Sequence, residues 1–274
     1  MIWPLGRRRL LAVDADSIER LTPTQPWLKR LSAPERQRLS ELMAEFLTLK
    51  TLTAVQGLEL TDEIRLAIAA QACLPVLHLS LAHYGTFNEV VLHPSAFEVR
   101  RTLTDELGLV TEFDDVLSGE TLDGGPVVLA WDDAAGINPY EPAEPGALGN
   151  VVIHEFAHKL DLADGEANGC PPMASALAQR WHPALQAAFE AFCDQLDAIE
   201  AAIPPDVDPE SEAADRWYAD LPLDPYAATD PAEFFAVACE AFFTDDGRFA
   251  QAFADLHACF VAYFRQEPHT LRPL

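Results

Sequence analysis

The octapeptide Val151-Val152-Ile153-His154-Glu155-Phe156-Ala157-His158 constrains this 274-residue chain more than any other feature. Two histidines four apart on a helix lie one turn apart on the same face, so both imidazoles can reach one ion. Glu155 points about a third of a turn away, where it can act on water at the ion without ligating it. The apolar residues before and inside the motif call for a buried helix that supports the site from behind. Asn150 can cap that helix, which is predicted to run through Leu160 and close at Ala163-Asp164-Gly165.

A catalytic zinc needs a third protein ligand and an open position. Two carboxylates compete for the place. Asp161 continues the face of the two histidines, seven residues after His154, and is equally suited to orienting an imidazole from behind. Glu233 opens a later helix in Asp230-Pro231-Ala232-Glu233-Phe234-Phe235. Its structural alternative is a capping box, with Asp230 as N-cap, Pro231 at the first helical position and Glu233 at the third. Spacing alone leaves the two level.

Around this centre the pattern is helical, then β, then helical. Residues 1–33 are expected to wrap over the surface, residues 34–267 to form one domain, and 268–274 to be a tail. Helices are predicted over Pro34–Lys50 and from Asp62 toward Leu77, with Pro75 bending or ending the second. Glu89–His93 and Gly125–Trp131 read as the best strands, with weaker ones at Phe97–Leu103 and Gly108–Thr111. A long helix is expected from about Pro183, an acidic, proline-rich loop over Ile203–Pro225, and helices over Pro231–Phe243 and Gly247–Phe264. Strands framed by helices indicate an α+β fold, a small mixed sheet against a helical body.

Composition excludes several classes. A formal charge of −26 repels phosphate backbones and anionic lipid surfaces, and the lone basic cluster Arg7-Arg8-Arg9 is too short to reverse that. Neither nucleic acid nor membrane is therefore an expected partner. The longest apolar stretch, Ile68–Leu81, is broken by Gln71, Pro75 and His78. Five widely spaced cysteines without a C-x-x-C pair favour free thiols in a reducing compartment, the cytoplasm. Of the remaining histidines, His78 and His83 read as core or surface-packing residues, His93 ends a strand before a proline, and His182, His257 and His269 have no partner at ligand spacing.

The run His154-Glu155-Phe156-Ala157-His158-Lys159-Leu160-Asp161, joined to Tyr226-Ala227-Ala228-Thr229-Asp230-Pro231-Ala232-Glu233-Phe234-Phe235-Ala236-Val237, resembles the Mlc titration factor A family of zinc peptidases. Gly125-Pro126-Val127-Val128-Leu129 and Val91-Leu92-His93-Pro94 also resemble that family's strand segments, so the likeness spans about residues 34–267. It implies a zincin-like fold with the H-E-x-x-H helix at the site. It also implies that Glu233 is the third ligand and that Tyr226 faces the metal, as in that family and in the related catalytic domain of anthrax lethal factor. One departure from the lethal-factor pattern is Val237, which stands where a second glutamate is expected. The next acid, Glu240, lies two turns along from Glu233, which suggests a supporting role.

The function expected is peptide hydrolysis with one zinc per chain, held by His154, His158 and Glu233. Glu155 acts as general base and Tyr226 as donor to the oxyanion. The resemblance leans toward aminopeptidase action. It also implies an alternative: a regulatory protein that sequesters a transcriptional repressor of sugar uptake, with the zinc site chiefly structural or modulated by that partner. An extended peptide substrate is expected along a sheet edge, with Gly125–Trp131 as the candidate strand.

Overall fold

The computed structural model describes residues 13–104, 110–121, 124–135, 149–209, 211, 213–244 and 247–268. Parts of the expected N-terminal segment, the Gly108–Thr111 strand and the C-terminal tail lie outside these residues, as does His269. The architecture is α+β, a small sheet against a helical body.

Residues 13–31, expected to wrap over the surface, contribute to the core. Asp14 caps helix α1 (Ala15–Leu21), and Ile18, Leu21, Trp27 and Leu28 are buried. Helix α2 (Ala33–Leu49) starts at a Ser32–Glu35 capping box, and α3 (Asp62–Cys73) starts at Thr61. Helix α3 ends before Pro75, whose nitrogen has no hydrogen to continue the helical bonds.

Four strands form the main sheet in the order β1 (Thr51–Ala54), β2 (Glu89–His93), β6 (Val127–Ala130), β5 (Gly119–Thr121). The first three run parallel, and β5 is antiparallel to β6. Alternation sets the buried face: Leu52, Val90, Leu92, Val127 and Leu129 point into the core. A separate hairpin pairs β3 (Phe97–Thr104) with β4 (Val110–Leu117). The strand read at Gly125–Trp131 is shorter than expected, because Trp131 already begins helix α4 (Trp131–Ala134). It is also interior, with β2 on one side and β5 on the other, so it is not the free edge expected for a substrate.

Helix α5 (Val151–Asp161) crosses the core between the sheet and the later helices. Every residue in it except His158 is buried. Phe156 is held by the rings of Phe46, Tyr84 and Phe87 at centroid distances of 5.0–5.7 Å. Helix α6 (Ser175–Glu200) begins eight residues before the expected start at Pro183. The proline sits within it on the exposed face, where the carbonyl it leaves without a helical donor can turn to water. The acidic loop contains a short helix, α7 (Asp215–Tyr218).

Helix α8 (Pro231–Thr244) packs against α5 on one side and α6 on the other. The last expected helix is two, α9 (Arg248–Ala252) and α10 (Ala254–Phe264), divided at Phe253, where φ −127° and ψ 56° leave the helical region. Phe253 continues the aromatic stripe of its neighbours, so the break leaves no mark in the periodicity. Trp181 stacks on Phe260 at 5.0 Å and fixes α6 against α10. Among the described residues, no helix is long and apolar enough to cross a membrane, and the five cysteines are unpaired.

Candidate metal centre

Asn150 caps α5 as expected, its Oδ1 accepting the Ile153 N–H at 2.9 Å. The helix carries His154 and His158 on one face with Nε2 atoms 3.1 Å apart. Asp230 caps α8 by accepting the N–H groups of Ala232 and Glu233 at 2.8 and 3.0 Å. The box is not reciprocated, because the Glu233 carboxylate turns to the imidazoles instead. Its Oε2 lies 3.0 Å from His154 Nε2 and 3.3 Å from His158 Nε2. Two donors thus come from one helix and the third from a helix 75 residues later in the chain.

The triangle suits a metal ion. Tetrahedral bonds of about 2.0–2.1 Å separate neighbouring donors by about 3.3 Å, close to the edges observed. His154 is buried, while His158 and Glu233 keep 12% and 19% side-chain exposure, which leaves one side open. Burial alone would push the His154 imidazole down, but Glu233 on Nε2 and Glu240 on Nδ1 hold it up, at about 10. Burial raises Glu233, yet the two imidazoles pull its carboxyl well below the usual range. A donor set of this kind favours a cation at its centre. Among the described residues, no other three His, Cys, Asp or Glu side chains converge in this way.

Glu155 lies beside the triangle. It is 4% exposed, its Oε2 has no hydrogen-bond partner among the described residues, and burial pushes its carboxyl up. Strand β5 runs against it. Thr121 Oγ1 donates to the Glu155 carbonyl at 3.0 Å, and a Cβ at Gly119 would collide with the Glu155 carboxylate. Nothing local in the sequence marks Gly119 or Thr121, because a three-residue strand carries too little alternation to be read. Tyr226 occupies a 3-10 turn, Pro225–Ala228, fastened by Asp224, which accepts the Tyr226 N–H at 2.9 Å. Its ring is 42% exposed and 6.1 Å from that of His154.

The other two acids separate. Glu240 is 3% exposed and reaches His154 Nδ1 at 2.7 Å, and its second oxygen accepts the Asn150 N–H. The spacing of seven residues from Glu233 is the sequence signal for this. Asp161 is not in the triangle. Its carboxylate accepts the N–H groups of Asn168, Gly169 and Cys170 at 2.7–2.8 Å, although burial still pushes the carboxyl up. The turn it holds is tightly confined. Gly169 has φ +75°, a Cβ there would strike the Pro231 carbonyl, and its own carbonyl accepts from Trp181 Nε1 at 2.8 Å. Other histidines lie elsewhere: His78 faces Glu35, His93 stacks on Phe97, His182 meets Cys170, and His257 packs against Phe242.

Residues 6–265 match the profile of the glucose-regulated metallo-peptidases M90. The chain belongs to this family. Within the M90 family, it is similar to proteins named Mlc titration factor A. That of Klebsiella pneumoniae is 37% identical over 244 residues, 89% of this chain and 83% of its own length. The protein of Pectobacterium atrosepticum is 35% identical over 247 residues, with the same coverage. That of Salmonella typhi is 36% identical over 244 residues. The resemblance read from the two motifs is borne out over most of the chain. The M90 description points to metallopeptidase chemistry, whereas the relatives' name points to regulation.

Proposed function

We propose that this M90 chain is a zinc peptidase of zincin type, with His154, His158 and Glu233 as the metal ligands. The observation that carries this reading is the pairing of the three-donor triangle with a buried carboxylate oxygen, Glu155 Oε2, that has no hydrogen-bond partner among the described residues. A purely structural metal site needs no such base. When bound, zinc supplies Lewis acidity, polarising the scissile carbonyl and making the attacking water more acidic.

The chain's own residues supply the rest. Glu155 accepts the proton of the attacking water and returns it to the leaving amine. Burial pushes its carboxyl up, the direction that makes a carboxylate a stronger base. Tyr226, exposed beside His154, donates its hydroxyl to the developing oxyanion. Among the described residues β5 pairs only with β6, and its outer edge is the docking line we assign to an extended peptide. Aminopeptidase action follows the family resemblance, and the free thiols suit the cytoplasm.

The test is hydrolysis of a peptide library by the purified chain, with and without chelator, using free and N-acetylated peptides. Chelator should abolish cleavage and zinc should restore it, while acetylation should block it if the enzyme is an aminopeptidase. Full activity in verified metal-free protein overturns the reading. A second reading is favoured by the relatives' name: the chain binds and titrates Mlc, a repressor protein. Capture of Mlc by both the wild type and Glu155→Gln, with no peptide cleaved by either, would select it.

A further inference from the structure

A buried hydrogen-bonded chain leads from His154 away from the open side of the site. Its first link is His154 Nδ1 to Glu240 Oε1, 2.7 Å, and Glu240 Oε2 then accepts the backbone N–H of Asn150. Asn150 Nδ2 donates to Gln71 Oε1 at 2.8 Å. Gln71 Nε2 donates to the carbonyls of Ala67 and Ala134, both at 3.1 Å. Glu240, Asn150 and Gln71 are 3%, 5% and 1% exposed, so water does not replace these links. In the sequence, Gln71 is only an interruption of an apolar run.

The direction of every link follows from groups that have one role. Carbonyls only accept, so the Gln71 amide must turn its NH2 toward Ala67 and Ala134 and its oxygen toward Asn150. Asn150 must then offer its NH2 to Gln71, which agrees with its oxygen accepting from Ile153. The Asn150 backbone N–H only donates, so it requires an acceptor at Glu240. An ionised Glu240 has acceptors only, so it accepts at both oxygens and the proton between it and His154 belongs to Nδ1. Nε2, which faces His158 and Glu233, is then the nitrogen left to give up its proton to a metal ion.

We infer that Glu240 is a positioning residue that selects the Nδ1–H tautomer of His154, and that Gln71, outside the donor triangle, holds the chain in the orientation that requires this choice. The inference rests on the reading of His154 as a metal ligand through Nε2. Glutamine at position 240 would have one acceptor for two donors. The backbone N–H of Asn150 cannot change, so the glutamine NH2 would face His154 Nδ1. The imidazole proton would move to Nε2, where it blocks the ligand position.

The experiment uses the full chain loaded with zinc and 15N-labelled at histidine. In the wild type, long-range 1H–15N spectra should show His154 protonated at Nδ1 and bound through Nε2. Glu240→Gln should weaken zinc binding by about 10–100-fold in competition with a chromophoric chelator, the range typical for partners of ligating histidines. Its metal-free form should show the Nε2–H tautomer. Gln71→Met, which removes the polar links with little change in volume, should weaken zinc severalfold while keeping Nδ1–H. Wild-type protein that takes up no zinc overturns the metal reading and this inference with it. Zinc-loaded wild type without the Nδ1 proton overturns this inference alone, and so does a Glu240→Gln variant binding within twofold of wild type. The wild-type spectrum decides the matter even if Glu240→Gln fails to fold.

Discussion

The α-carbon of Gly119 lies against the side chain of Glu155, so that even a methyl group at position 119 would occupy the space of the carboxylate. Gly119 therefore serves by its lack of a side chain rather than by an unusual backbone conformation. Gly119→Ala should push Glu155 off its place while sparing the donor triangle. A misplacement of this size is expected to lower kcat/KM by about 100-fold. Zinc content measured on the same sample should stay at wild-type level, and an alanine variant with unchanged kcat/KM would remove Glu155 from the reaction geometry.

Glu155→Gln keeps the shape of the base and removes its ability to take a proton. Hydrolysis should fall by about 10²–10⁴-fold with zinc still bound. Since Glu155 is buried and its Oε2 has no partner among the described residues to lose, thermal unfolding should shift little. Loss of zinc in this variant would point to a ligand role and away from a base.

The two acids that compete in the sequence should fail in different ways. Glu233→Ala removes one corner of the triangle and should abolish tight zinc binding in a metal titration. Asp161→Ala should instead destabilise the fold, because the N–H groups of Asn168 and Gly169 lose their acceptor. The expected loss is roughly 2–4 kcal/mol in urea unfolding of the metal-free chain. The reverse pattern, zinc lost with Asp161 and stability with Glu233, would exchange their roles.

Tyr226→Phe removes a hydroxyl from a ring that is 42% exposed, so stability and zinc content should hold. If the hydroxyl stabilises the oxyanion, kcat should drop by about 10²–10³-fold with KM nearly constant. A kcat within about twofold of wild type would leave Tyr226 as a packing residue only.

Local signals in the sequence were good guides where one helix or strand contains the whole message. Asn150 and the period of α5 locate the two histidines, Pro231 locates the start of α8, and Glu89–His93 is a strand with the bounds expected. Signals failed where an element is short or where a neighbour overrides it. Strands β1 and β5 hold four and three residues, below the length at which alternation is legible. Pro183 reads as a helix start because proline suits that position, yet it is tolerated within α6 on the solvent side. The choice between Asp161 and Glu233 depends on how α8 lies against α5, and no spacing along the chain carries that information. Gly119 matters through a residue 36 positions away and Gln71 through residues 63 and 79 positions away, so neither could be recognised before folding.

The turn at Asn168–Cys170 supplies none of the three donors, yet it ties together the helices that bear them. It is tied to the end of α5 through Asp161, to α6 through Trp181, and is pressed against the first residue of α8 at Pro231. The three donors are consequently preorganised by contacts that do not involve an ion. An ion entering between them meets side chains whose freedom was already surrendered when the chain folded, and little further ordering opposes its capture.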